Sequence, residues 1–169
     1  MEWTGARYAD QPTVEVQIDI DAPPERVWPL VSDPVAMPKL CNELQRVEWI
    51  DGATGARVGA RFQGFNSHAA FGQWSTPSTV SACAAPEVFA WDVGDPEWLS
   101  ASWRFTLEPV EGGTRLTQWM RMGPGESGLS VAITAMPEKE QKIVFVRLRE
   151  LETNMTTTLA AIKQHAEQG

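Results

Sequence analysis

The chain has 169 residues, 43% of them hydrophobic and 21% charged, an ordinary globular composition that argues against disorder. Its 22 acidic residues outnumber 14 basic ones, the net charge is −8, and Lys and Arg form no cluster, so nucleic acid and phosphate surfaces are not expected as partners. The opening MEWTGARYADQPTV lacks a basic start and an apolar run, and no stretch approaches the roughly 20 apolar residues of a membrane span; a soluble cytoplasmic protein without stable membrane insertion is expected.

At this length a single domain over 1–169, with a short tail at 1–11, can bury roughly 70% of the surface its unfolded chain exposes. In TVEVQIDI, residues 13 to 20, Val14, Val16, Ile18 and Ile20 alternate with polar residues, the pattern of a half-buried strand. DAPPERVWPLVSD then predicts a short helix with Asp21 as its cap and Pro29 bending it, and Asp33-Pro34 predicts a second short helix through about Leu40. Segments near 44–50, 57–66, 70–83, 87–94, 98–109 and 113–122 are rich in Trp, Phe, Val and Thr and are separated by Gly, Pro and Asp, which predicts six strands in an antiparallel meander. With the first strand, the sheet has about seven and should curl to give a concave side. Residues 123–137 read either as a mobile lid or as the first turns of the last helix. From there Val144, Leu148, Leu151, Met155, Leu159 and Ile162 recur at helical spacing, so a long helix with one apolar face is expected to pack into the concave sheet.

Parity along each strand selects the inward side chains. Phe62 and Asn66, then Trp74, Thr76, Ser78, Val80 and Ala82, then Phe89 and Trp91, then Trp103 and Phe105, and finally Gln118 and Met120 are expected to face the helix residues Leu148, Leu151 and Met155. Eight tryptophans against one tyrosine suit an aromatic-walled pocket as well as a dense core. The polar groups on this wall, Asn66, Thr76, Ser78 and Gln118, are all neutral, and no titratable group for acid–base chemistry is among them. His68 is expected as a solvated turn residue near the pocket mouth, and Ser67, adjacent to it in sequence, is poorly placed as a nucleophile. No cofactor and no metal are expected: Cys41 and Cys83 stand apart without CxxC spacing or a neighbouring histidine and read as buried reduced thiols.

The order strand, two short helices, six strands and long helix, with DAPPERVWPLVSDPVAMPKL (21–40), GARFQGFN (59–66), FAWDV (89–93), ASWRFTLEPVEGGTRLTQ (101–118) and RLRELETNM (147–155), resembles the START-like (SRPBCC) superfamily of polyketide cyclases, dehydrases and lipid-transport proteins. The resemblance implies an α+β helix-grip fold, a curved antiparallel sheet wrapped around the C-terminal helix over a deep cavity. Such a fold sets the pocket and leaves its chemistry open. Binding of a hydrophobic small molecule, a polyketide, lipid or aromatic metabolite, is the reading these residues favour. A polyketide cyclase or dehydratase that positions its substrate is the alternative, and a regulatory module without ligand, its space plugged by a side chain such as Trp91, is the third. The aromatase/cyclase branch carries an Arg on the strand that here begins at Trp74; this chain reads Ser75, Thr76, Pro77, Ser78 there, which weakens the cyclase expectation. A homodimer is left open.

Overall fold

The computed structural model describes residues 1–169. In β1, Thr13–Ile20, the side chains of Val14 and Ile20 are buried while Glu15, Gln17 and Asp19 are exposed, as alternation demands. Helix α1, Pro24–Val31, buries Val27 and Val31. Its N-cap position is Pro23; Asp21, expected as the cap, lies too far upstream, and its backbone N–H donates to Glu167 instead (2.9 Å). The second expected helix shrinks to a single 3-10 turn, Met37–Leu40. Asp33 Oδ1 accepts from the Val35 and Ala36 amides in a side-chain-closed turn, and Pro38, with no N–H to give, leaves a longer helix one donor short.

The remaining strands are β2 Leu44–Ile50, β3 Arg61–His68, β4 Gly72–Ala84, β5 Val88–Asp95, β6 Trp98–Val110 and β7 Gly113–Met122. They form one antiparallel sheet in the order β1-β7-β6-β5-β4-β3-β2. Residues 57–60, expected in β3, belong to the turn before it. Register shifts in β2, between Val80 and Ala82, and between Val93 and Gly94 interrupt the pairing, and such bulges raise the local twist that curls the sheet. The β4 shift corrects the parity reading. Val80 still pairs with inward Trp91, but beyond the bulge Cys83 pairs with Phe89, so Cys83 takes the inner face in place of Ala82. At the β6–β7 turn, a Cβ on Gly113 would run into the carbonyl of Ile20, so only glycine lets β1 and the chain leading to α1 come this close.

Residues 123–137 are not continuous with the last helix. Ser127, whose side chain accepts from the Ser130 amide, caps a separate helix α2, Gly128–Ala135, and a 3-10 turn at Pro137–Lys139 follows before α3, Glu140–Gln168. The stretch before β1 is tied down. Tyr8, 8% exposed, donates its hydroxyl hydrogen to the Gly125 carbonyl (2.6 Å), and Arg7 pairs with Glu140.

Along α3 the apolar stripe Val144, Leu148, Leu151, Met155, Leu159 and Ile162 is buried. The helix lies mainly against β1 and α1, and no comparable contact joins it to β3, β4 or β5. Packing concentrates on one side of the sheet, and the space under its curled half stays open. No helix is long and apolar enough to cross a membrane.

Candidate functional site

That open space is a cavity of about 530 Å³ between α3 and the concave face. The alternation of β3 to β7 puts Phe62, Asn66, Trp74, Thr76, Ser78, Phe89, Trp91, Trp103, Phe105, Gln118 and Met120 on its wall, and α3 adds Leu151 and Met155. Leu148, expected with them, lies off the wall. It packs with Tyr8, Val14 and Val144 in a second apolar cluster, so neighbouring side chains and not open space lie in front of it.

Aromatic rings set the shape of the wall. Trp91 stacks flat on Trp103 at 6.0 Å with an interplanar angle of 6°, and Phe89 and Phe105 lie 5.7 and 5.9 Å from Trp91. Trp91 therefore runs along the wall and does not plug the cavity. Among these rings Gln118 is 6% exposed, and its Oε1 is buried without a hydrogen-bond partner. An unpaired buried amide costs roughly 1–3 kcal/mol, a charge on stability that a bound polar group would remove. Gln118→Met is accordingly expected to raise the melting temperature of the free protein by about 2–4 °C, measurable by calorimetry, since the thioether fills similar volume without an orphaned acceptor.

The charged rim was not on the sequence-derived wall. Glu43, just before β2, and Arg147, on α3, both line the cavity and form a two-pronged ion pair with Arg147 Nη1 and Nη2 donating at 2.6 and 2.8 Å. The side chains are only 18% and 13% exposed. Asn154 Nδ2 also donates to Glu43 (3.2 Å), and Arg147 reaches Glu150 at 3.1 Å. Burial opposes the charge on Arg147, but the hydrogen bonds and charges of Glu43 and Glu150 outweigh it and hold its pKa above the ordinary value. Helical spacing offered half the signal, because Arg147, Leu151, Asn154 and Thr158 share a face; Glu43 is 104 residues from Arg147 and no local pattern links them.

His68 is not a solvated turn residue. β3 runs two residues past Asn66, so His68 ends the strand opposite Gly72, and its side chain is 15% exposed. Nδ1 accepts from the Ala70 amide (2.9 Å), so Nε2 carries the proton and donates to Glu150 (3.2 Å). Glu43, His68 and Glu150 bring potential ligand atoms within 4.8 Å of one another. They do not fit a metal: Arg147 already bridges the two carboxylates, and the His68 tautomer aims a proton, not a lone pair, at the cluster.

Cys41 also lines the cavity, with the Thr158 hydroxyl 3.9 Å from its sulfur. Burial, with a smaller push from Glu43 and against the Thr158 hydrogen bond, raises its thiol pKa to about 11. At pH 8 roughly one thiol in a thousand is then ionised, so peptide mapping after iodoacetamide should find Cys41 unmodified in native protein and modified on unfolding. Folding favours the neutral thiol, so this group's contribution to stability is intact below about pH 9 and declines as the pH rises toward about 11.

A curved seven-stranded sheet gripping a C-terminal helix over an aromatic-walled cavity defines a helix-grip protein. The chain belongs to the polyketide cyclase / dehydrase and lipid transport family, whose model matches residues 11–167. The solution structure of the Polyketide_cyc-like protein Cgl2372 from Corynebacterium glutamicum is similar to it, with 30% identity and a TM-score of 0.64 over 89% of this chain and 88% of that one. Two di-domain ARO/CYC proteins share the fold: BexL from the BE-7585A biosynthetic pathway (18% identity, TM-score 0.69, 93% of this chain) and StfQ from the steffimycin biosynthetic pathway (14% identity, TM-score 0.70, 92% of this chain). The chain spans about half the length of each, 50% in both cases. No curated protein matches the chain.

Proposed function

We propose that the protein binds a neutral, hydrophobic small molecule in the cavity, stacked along Trp91 and Trp103 and oriented by the Gln118 amide. The observation that carries this is a volume of about 530 Å³ kept open against an aromatic wall, within the range of about 300–1,000 Å³ typical of small-molecule sites. A ligand burying about 300 Å² of apolar surface gains roughly 7 kcal/mol before the costs of association. Asn66, Thr76 and Ser78 add neutral hydrogen-bonding groups to the same wall. Polyketides, lipids and aromatic metabolites all fit this chemistry. The open space beside Trp91 speaks against a scaffold that works without a ligand.

Native mass spectrometry of protein purified from its own host tests the reading, with a co-purifying small molecule as the expected result. A ligand at a hundred times its Kd stabilises by about 2.7 kcal/mol, an upward melting shift of roughly 5–10 °C. An empty protein with no shift across a panel of lipids and polyketides removes the proposal.

A second reading, a cyclase or dehydratase acting on a polyketide-like chain, is favoured by one feature, the unpaired Gln118 amide. The orphaned atom is the amide oxygen, Oε1, which can accept from a substrate hydroxyl and so hold the chain in a reactive conformation within the pocket. The ARO/CYC likeness supplies the substrate class to try. Turnover that survives Gln118→Ala unchanged excludes that role.

A further inference from the structure

We propose, on the strength of the binding reading above, that the seam closed by Glu43, Phe71 and Arg147 is the gate through which a ligand reaches the cavity. Asn42, Glu43 and Asn154 line the cavity on one side and, on the other, an open cleft of about 570 Å³ bordered mainly by polar and charged residues. The partition between the aromatic interior and that cleft is therefore one layer of side chains thick.

Three separate pieces of chain meet in this layer: the loop before β2, the β3–β4 hairpin tip and α3. Glu43 and the hairpin are joined by a backbone bond from the Ser67 amide to the Glu43 carbonyl (2.9 Å), but no backbone hydrogen bond crosses from α3 to either. Side chains alone span the gap. They are the Glu43–Arg147 ion pair, the bonds from Asn154 to Glu43 (3.2 Å) and from Asn42 to Asn154 (3.4 Å), the His68–Glu150 contact and Phe71, whose ring lies 5.5 Å from Arg147 Cζ and 4.6 Å from the His68 ring. Phe71 is 36% exposed at the hairpin tip, whose Ser67, His68 and Ala69 line the cleft, yet it lines the cavity, and Gly72 beside it has a φ of +73°, a turn conformation suited to a pivot. Rotating these side chains outward moves both charges into water, where each is solvated, and lets an uncharged ligand pass.

The wall across the cavity, residues 126–129, is held differently. Its approach is bound by main-chain bonds from Gly123 to Ser100 (2.8 Å) and from Gly125 to Leu99 (2.7 Å), and the Tyr8 hydroxyl fastens it further. Opening there would break backbone pairing, whereas opening at the seam requires only rotamer changes.

Stopped-flow association of Nile red, an uncharged apolar dye, tests the gate. Phe71→Ala and the double variant Glu43→Gln/Arg147→Gln should each raise the association rate about tenfold, because a conformational step before binding slows association and these changes remove it. Truncating a residue that merely lines the wall speeds dissociation and leaves association alone. Tyr8→Phe, which loosens the opposite wall, should leave the association rate at the wild-type value. If both seam variants associate as the wild type does, or Tyr8→Phe alone accelerates, the gate is overturned while binding stands. If Nile red does not bind the wild type, the binding reading fails and the gate with it.

Discussion

Glu43→Ala is expected to lower stability by about 2–4 kcal/mol, a fall in melting temperature of roughly 5–15 °C, because it strands a mostly buried guanidinium. Of its carboxylate partners Arg147 keeps only Glu150, whose side chain is 40% exposed, and it loses both strong prongs to Glu43. Glu43→Gln should cost less, since the amide can still accept one of those hydrogen bonds. The double change Glu43→Leu/Arg147→Met should recover most of the loss, because a buried ion pair is often replaced by apolar groups without penalty, whereas a half-pair is not. Urea melts of the three variants check this ordering. Equal destabilisation by the single and the double change would mean that the cost lies in lost packing and not in the unpaired charge.

Trp91→Ala carries the second large effect, on stability and binding together. The indole touches Phe62, Phe89, Trp103 and Phe105, so truncation enlarges a space that is already open, at a cost of about 2–4 kcal/mol. A ligand stacked on it loses one aromatic face, and Nile red affinity should drop about 10- to 100-fold in a fluorescence titration. Trp119 is the control. It sits on the outer face of β7 with the Arg104 guanidinium 4.6 Å from its ring, and Trp119→Ala should leave the affinity unchanged. Comparable losses in both variants would place the dye outside the cavity.

Much of this wall was legible because strands alternate. Phe89 with Trp91, and Trp103 with Phe105, could be assigned to one face from parity alone, and the buried stripe of α3 from its spacing. Parity failed at Ala82, where an inserted residue reverses the faces and nothing in the local sequence marks it. His68 was misjudged for a different reason, because it was read as part of the turn: a tight turn let β3 extend two residues further, which carried the imidazole from water to Glu150. Helical spacing likewise placed Leu148 with Leu151 and Met155; all three share one apolar cluster, but Leu148 alone of them is kept off the cavity, packed in that cluster with Tyr8 and Val14.

What the amino-acid order determined by itself is whatever repeats over a few residues: the seven strands, the apolar face of the last helix and the family likeness. These come from backbone geometry, which reads periods of two and 3.6. Only the tertiary structure decided where the helix leans, and hence that the curled half of the sheet encloses an open volume. It also joined Glu43 to Arg147 and left Gln118 without a partner, because ion pairing and hydrogen-bond satisfaction depend on distances between side chains remote in sequence.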